Sequence, residues 1–235
     1  MGRLIWSVFT AAALLFGTCA VADAEPPTDV SGGQTYTIAA ASVDGRSSDG
    51  RGDWQAGYLT LTGGDPRVAE VFNSASAASV NDQLTSATDG AAGGTTPWHF
   101  ESKGEVTFRP IAVAQLITGS LGYGAHPTAY VGTIVIDSRT ATPITLADLF
   151  GDDRAGLARL SDESRRLLAR DGFETTDGTG LEPVAANFAN WIPTPNGLEI
   201  HFNEYQLGSR FGPTVLVPWS ALSDVLAPSM TDLTT

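Results

Sequence analysis

Residues 98–137 read WHFESKGEVTFRPIAVAQLITGSLGYGAHPTAYVGTIVID, and this stretch decides the fold class. Trp98–Arg109 and Ile111–Tyr123 are runs rich in β-branched and aromatic residues, parted only at Pro110. Gly124-Ala125-His126-Pro127 then turns the chain, and Thr128–Asp137 alternates around Tyr130, Gly132, Ile134 and Ile136 as a third strand. Links this short join antiparallel neighbours, because a parallel return needs a crossover of about a dozen residues or more.

Upstream, Trp54–Thr62 reads as a strand that Gly63-Gly64 ends. Asp65-Pro66 is a helix start: the Asp65 carboxylate accepts from an orphan N–H, and Pro66 suits the first helical position. Val68, Val71, Phe72, Ala75 and Ala78 follow at helical spacing, predicting a helix to Leu84 and a loop over Thr85–Pro97. Residues 25–53, rich in Gly, Ser, Asp and Pro, read as a flexible lead-in: Tyr36–Ala41 could be a short strand, and Val43–Asp53 a loop.

Residues 1–24 read as a signal peptide. Arg3 precedes the apolar run Leu4–Phe16, and Ala22-Asp23-Ala24 has the small-x-small form of a cleavage site. The run is short for a membrane span, which takes about 20 residues. The expected product is an exported chain, secreted or held at the cell envelope, starting near Glu25 with no transmembrane segment. A lipoprotein anchored through Cys19 is disfavoured by Thr18, where Gly or Ala is usual.

Downstream, Ile144–Phe150 is a short helical turn. Asp152 or Asp153 caps a helix carrying Leu157, Leu160, Leu167 and Leu168 on one stripe, which Gly172 stops. Phe188–Thr194 and Leu198–Tyr205 flank the hairpin signal Asn196-Gly197. Thr214–Pro218 is a further strand and Trp219–Leu226 a closing helix. The order β-α-βββ-α-ββ predicts an α+β fold: an antiparallel sheet with two main helices. A 54–114 part and a 115–235 domain are expected to pack as one unit.

The 235 residues hold 13 Lys+Arg against 26 Asp+Glu, a net charge of -13, with 42% hydrophobic residues. That composition is globular, and its negative charge argues against nucleic acid as a partner. One cysteine rules out a disulfide framework. A P-loop, a dinucleotide glycine pattern, H-E-x-x-H and an EF-hand loop are all missing, so no cofactor is expected. The nearest approach to G-x-S-x-G is Gly119-Ser120-Leu121-Gly122, with the wrong spacing.

His99, His126 and His201 lie on different predicted elements, none paired at i, i+4, which argues against a metal site. His126 sits in a constrained turn, where its imidazole would fix the backbone. The functional alternative makes it a general base for Ser120 or Ser138, with no oxyanion-hole motif beside it. His201 shares a polar strand face with Glu199. Trp54, Trp98, Trp191, Trp219 and Phe211 flank loops and strand ends. Most belong to a core, and exposed ones would mark a protein or glycan interface.

The C-terminal half also resembles a known family. Gly124-Ala125-His126-Pro127, Pro143-Ile144-Thr145-Leu146-Ala147-Asp148-Leu149-Phe150, Thr194-Pro195-Asn196-Gly197-Leu198, Ile200-His201-Phe202-Asn203-Glu204-Tyr205 and Val215-Leu216-Val217-Pro218-Trp219 follow in order over residues 115–226. They are similar to the extracytoplasmic domain family of the lysozyme-sensing anti-sigma-V factor and of mycobacterial secreted antigens, one of them described as an esterase. Glu204-Tyr205 stands where the family has Pro-Tyr. The resemblance implies an α+β fold, export and ligand recognition. It makes Gly124, Ala125, His126, Pro127, His201 and Tyr205 binding candidates. The leading expectation is a non-enzymatic binding module for a cationic protein such as lysozyme, or for a cell-wall glycan. The alternative is an esterase using Ser120 and His126.

Overall fold

The alternation in 98–137 becomes three adjacent strands of a seven-stranded sheet. The structure is a computed structural model, and it describes residues 26–124, 126–173, 175 and 179–235. The expected signal peptide, with Cys19, and Ala125 lie outside the described residues. In chain order the large sheet holds β1 (Thr28–Ser31), β2 (Gln34–Arg46), β3 (Gly52–Gly63), β4 (Trp98–Arg109), β5 (Ala112–Tyr123), β6 (Thr128–Asp137) and β7 (Thr142–Pro143). Spatial order follows chain order, and every pair is antiparallel except β3–β4. That parallel pair is joined by the crossover helix α1 (Pro66–Ala91).

A second layer follows. It comprises α2 (Leu146–Leu149), α3 (Asp153–Arg170), a 3₁₀ turn at Ala185–Phe188, a three-stranded sheet of β8 (Trp191–Thr194), β9 (Gly197–His201) and β10 (Thr214–Pro218), then α4 (Trp219–Leu222) and a 3₁₀ turn at Pro228–Thr234. The protein is α+β, with a large, mainly antiparallel sheet.

β5 lies between the layers and is buried on both faces. Val113, Ile117 and Leu121 join the α1 core with Phe72, Val80 and Phe100. Ala112, Ala114 and Leu116 join the other core with Leu160, Phe188, Leu198 and Ile200. The boundary expected at 114/115 falls inside this strand.

The β3–β4 pairing extends only from Gly52↔Trp98 to Ala56↔Ser102. Beyond it, two side-chain amides serve the β3 backbone. Gln115 Oε1 accepts from Leu59 N at 2.7 Å, and its Nε2 donates to Leu59 O at 3.0 Å and to Ser76 Oγ at 2.6 Å. Asn73 on α1 does the same for Leu61, at 2.7 and 2.9 Å. Gly104 makes room for this bridge, because a Cβ there would lie 2.1 Å from Gln115 Oε1.

Several boundaries differ from expectation. α1 runs past Leu84 to Ala91, because Ala87 and Ala91 continue its buried stripe; Thr85 and Thr88 each donate to the carbonyl four residues back at 2.8 Å. The segment 25–53, expected to be a flexible lead-in, carries β1 and β2. β2 reaches Arg46 because β3 supplies a ladder from Tyr36↔Gly63 to Arg46↔Asp53, a partner no local pattern reveals. The strand expected over Phe188–Thr194 starts only at Trp191, after the 3₁₀ turn; Phe188 instead packs edge-on against Phe202, with centroids 6.0 Å apart. The next strand ends at His201 rather than Tyr205, and the last helix at Leu222 rather than Leu226. No helix among the described residues is long and apolar enough to cross a membrane.

Candidate binding site

The loop after β9 is shaped by its own amides. Phe202 is buried, and the chain then reverses over Asn203–Gly212. Gln206 Oε1 accepts from Asn203 N at 3.0 Å, and its Nε2 donates to Asn187 O at 2.8 Å and Gly180 O at 3.2 Å. Tyr205 N donates to Ser209 O at 2.8 Å, and Gly208 N to Tyr205 O at 3.0 Å. Gly212 lets the loop close, since a Cβ there would lie 1.9 Å from Phe202 O.

This closure forces Tyr205 into left-handed backbone, φ 61°, and leaves its side chain outside, 65% exposed. Such a conformation costs an L-residue about 1–2 kcal/mol, and strain of this kind gathers at functional sites. Phe211 is 73% exposed, with the Arg210 guanidinium 5.6 Å from its ring centroid. Arg210 Nη2 also donates to Pro127 O at 3.2 Å, tying the loop to the β5–β6 turn.

Between loop and turn lies a recess of ≈ 360 Å³, lined by His126, Pro127, Thr128, Ala129, Asn203, Glu204, Tyr205 and Arg210. A neighbouring hollow of ≈ 220 Å³ shares Ala129, Asn203 and Glu204 and adds Tyr130, Val131, His201 and Thr214. Glu204 is half-buried and makes no ion pair among the described residues. Burial, and then the negative charge of Glu204, push the Tyr130 hydroxyl above its ordinary pKa.

The sequence candidates thus divide. His126, Pro127 and Tyr205 line one recess, and His201 lines the hollow beside it. Gly124 holds the turn with φ 72°. His201 Nδ1 is 3.2 Å from Thr214 Oγ1; its Nε2 lies 2.8 Å from Glu199 Oε1, without hydrogen-bond alignment. Ser120 lines a separate hollow with Glu101, Ser102, Lys103, Thr118 and Gly119, and no hydrogen bond joins it to His126. Ser120 pairs with Ala129, one pair in from the Leu121↔Thr128 end of the β5–β6 ladder, but lines the hollow toward β4, while His126 stands beyond that end and lines the other recess. Ser138 is buried and accepts from Ser31 Oγ at 2.7 Å.

His99 lies on another part of the sheet, its Nδ1 against Asp53 Oδ1. Among the described residues no group of three His, Cys, Asp or Glu side chains is placed to hold a metal ion. Of the flanking aromatics, Trp98, Trp191 and Trp219 are buried and Phe211 is not. Glu204 stands in a family-like block only as a departure from Pro-Tyr, and Arg210 stands in none; the closure of the loop places both at the site. A larger recess, ≈ 530 Å³, lies between the C-terminal end of α3 and β10. Its cations are already matched: Arg166 by Glu163 at 2.6 Å and Arg170 by Asp171 at 2.7 Å.

Known proteins place this geometry in a wider setting. No curated protein matches the chain. Solved structures are similar to it, among them two with a TM-score of 0.58 each. A DUF3298 family protein from Pseudomonas aeruginosa PAO1 is 14% identical, the match covering 88% of this chain and 97% of that one. A DUF3298 family member from Bacteroides fragilis NCTC 9343 is 11% identical, with 89% and 98% covered. At those identities the likeness is one of fold. Residues 147–220, which contain α3, the three-stranded sheet and the 203–212 loop, match the family model described as "Protein of unknown function (DUF3298)".

Proposed function

We propose that the chain is an exported, non-enzymatic binding module of the cell envelope, its ligand site the recess between the His126 turn and the 203–212 loop. The observation that carries this reading is the pairing of strain with exposure at Tyr205: a rigid loop holds this aromatic side chain, and Phe211 near it, out in water. Exposed aromatic anchors beside a charged group are the usual material of a recognition surface. Glu204 and the net charge of -13 favour a cationic ligand, and the family resemblance suggests a protein such as lysozyme, or else a wall glycan. The separation of Ser120 from His126 makes hydrolysis the weaker reading.

Calorimetric titration with lysozyme at low and moderate salt tests the cationic version. The expected result is binding that weakens with salt and is lost in Tyr205→Ala. No heat at low salt removes lysozyme as the ligand. Wall-glycan fragments are titrated in the same way.

A further inference from the structure

β6 is covered by β7 only at Ile136 and Asp137. In an antiparallel ladder each residue sends its N–H and C=O to one side, and its neighbours send theirs to the other. Val135 O accepts from Ile144 N, and Asp137 O from Ala141 N, both at 2.8 Å, so the odd-numbered residues of β6 face away from β5. Ala129, Val131 and Thr133 therefore hold their backbone groups along an edge where no backbone hydrogen bond reaches those groups among the described residues; at Thr133 the Trp191 N–H donates to the side-chain Oγ1 at 3.1 Å. No charged side chain or proline interrupts Thr128–Thr133, although these are common guards of a sheet edge.

The same three residues mark a row of hollows on the face toward the second layer. Ala129 lines the ≈ 360 Å³ recess, Ala129 and Val131 line the ≈ 220 Å³ hollow, and Thr133 lines one of ≈ 430 Å³ with Ile144, Ala186 and Trp191. Their two-residue spacing is the repeat at which an added strand presents side chains to one face. Glu204 stands at the first two hollows, while the third is walled by small and apolar groups.

We propose that β6 is a strand-addition site for an extended segment of a partner protein. The segment sets a Lys or Arg toward Glu204 and a small apolar side chain into the Thr133 hollow. The proposal rests on the recess reading above and specifies how a protein partner is gripped. A second copy of this chain fits less well, because its own edge, Thr128–Thr133, offers no basic side chain to Glu204.

The test uses the whole chain and a displayed library of peptides of about seven residues, enough to pass Ala129–Thr133 at ~3.4 Å per residue. Retained peptides are expected to carry a basic residue and alternating apolar ones. They should slow amide exchange at Ala129, Val131 and Thr133 while leaving Tyr130 and Gly132 unchanged. Val131→Pro removes an outward N–H that an edge strand can spare and should weaken binding about tenfold or more. Peptides methylated at backbone nitrogens make the same test without touching the fold. The proposal is overturned by a library that yields no binder, or by binding indifferent to both Val131→Pro and methylation. Concentration-dependent protection of these amides without peptide also overturns it, by assigning the edge to a second copy. Lysozyme bound equally by the parent chain and Val131→Pro removes strand addition and leaves the recess reading standing; peptide addition without lysozyme binding removes lysozyme instead.

Discussion

The two cores that meet on β5 place their buried polar groups differently. On the α1 side, apolar groups surround a buried polar bridge in which Gln115 links Ser76 to the Leu59 backbone. On the opposite side the buried polar groups stand on α3, where Ser161 Oγ donates to the Leu181 carbonyl, which Arg165 Nη2 also reaches at 3.0 Å, and Ser164 is fully buried. The difference follows from topology. The crossover through α1 makes β3 and β4 parallel, and where they part β3 has backbone groups with no strand beside them. Buried amide groups left unbonded are costly, so side-chain amides fill the place of the missing strand. In the second layer the buried Ser161 hydroxyl instead serves the carbonyl of a loop residue, Leu181, and not a strand that has lost its neighbour.

Each layer should therefore fail in its own way. The largest effect is expected in the second layer: Phe188→Ala should cost about 4 kcal/mol by opening a cavity, measured by denaturant unfolding. Gln115→Met keeps length and removes the bonds, and should cost about 3 kcal/mol. If Gln115→Met proves neutral, the contrast between the layers is wrong.

A third test addresses the seam. Burial alone would raise the Asp137 carboxyl, but hydrogen bonds from the Arg139 guanidinium and amide outweigh it and hold the group below its ordinary pKa. The stabilisation is then complete above the ordinary carboxylate value and lost as pH falls through the depressed one. Asp137→Asn should cost about 2 kcal/mol at neutral pH, and much less in acid. Unfolding midpoints measured from neutral to acid pH should show the difference closing. The smallest effect separates strain from use. Ala141, φ 58°, and Tyr205, φ 61°, share a conformation that suits glycine. Each glycine variant should gain about 1 kcal/mol in a thermal melt, and only Tyr205→Gly should lose the ligand.

Much of this architecture was legible because local chemistry matched its surroundings. The limits of Trp98–Arg109, Thr128–Asp137 and Thr214–Pro218 follow directly from alternation and the turns beside them, and Asp65 caps α1 through Arg67 N at 2.9 Å as its position before Pro66 suggests. Elements that depend on remote partners were not legible. β2 owes its length to β3, and the last turns of α1 owe theirs to the core beneath Ala87 and Ala91. The site divides in the same way. His126 and Tyr205 stand out in sequence as a turn and a motif, whereas Glu204 and Arg210 take part only because Gln206 and Gly212 close their loop. Ser120 is near His126 along the chain, yet the two line different hollows.

The double burial of β5 bears on how this chain can be cut, copied or borrowed. Stripped of α1, the strand would show Val113, Ile117 and Leu121 to water; stripped of the second layer, it would show Ala112, Ala114 and Leu116. Either half would carry a sticky wall and be expected to aggregate rather than persist as a smaller protein. The 147–220 segment recognised by the family model contains neither β5 nor β6. It is thus a signature of the fold and not a unit that could be grafted or expressed by itself.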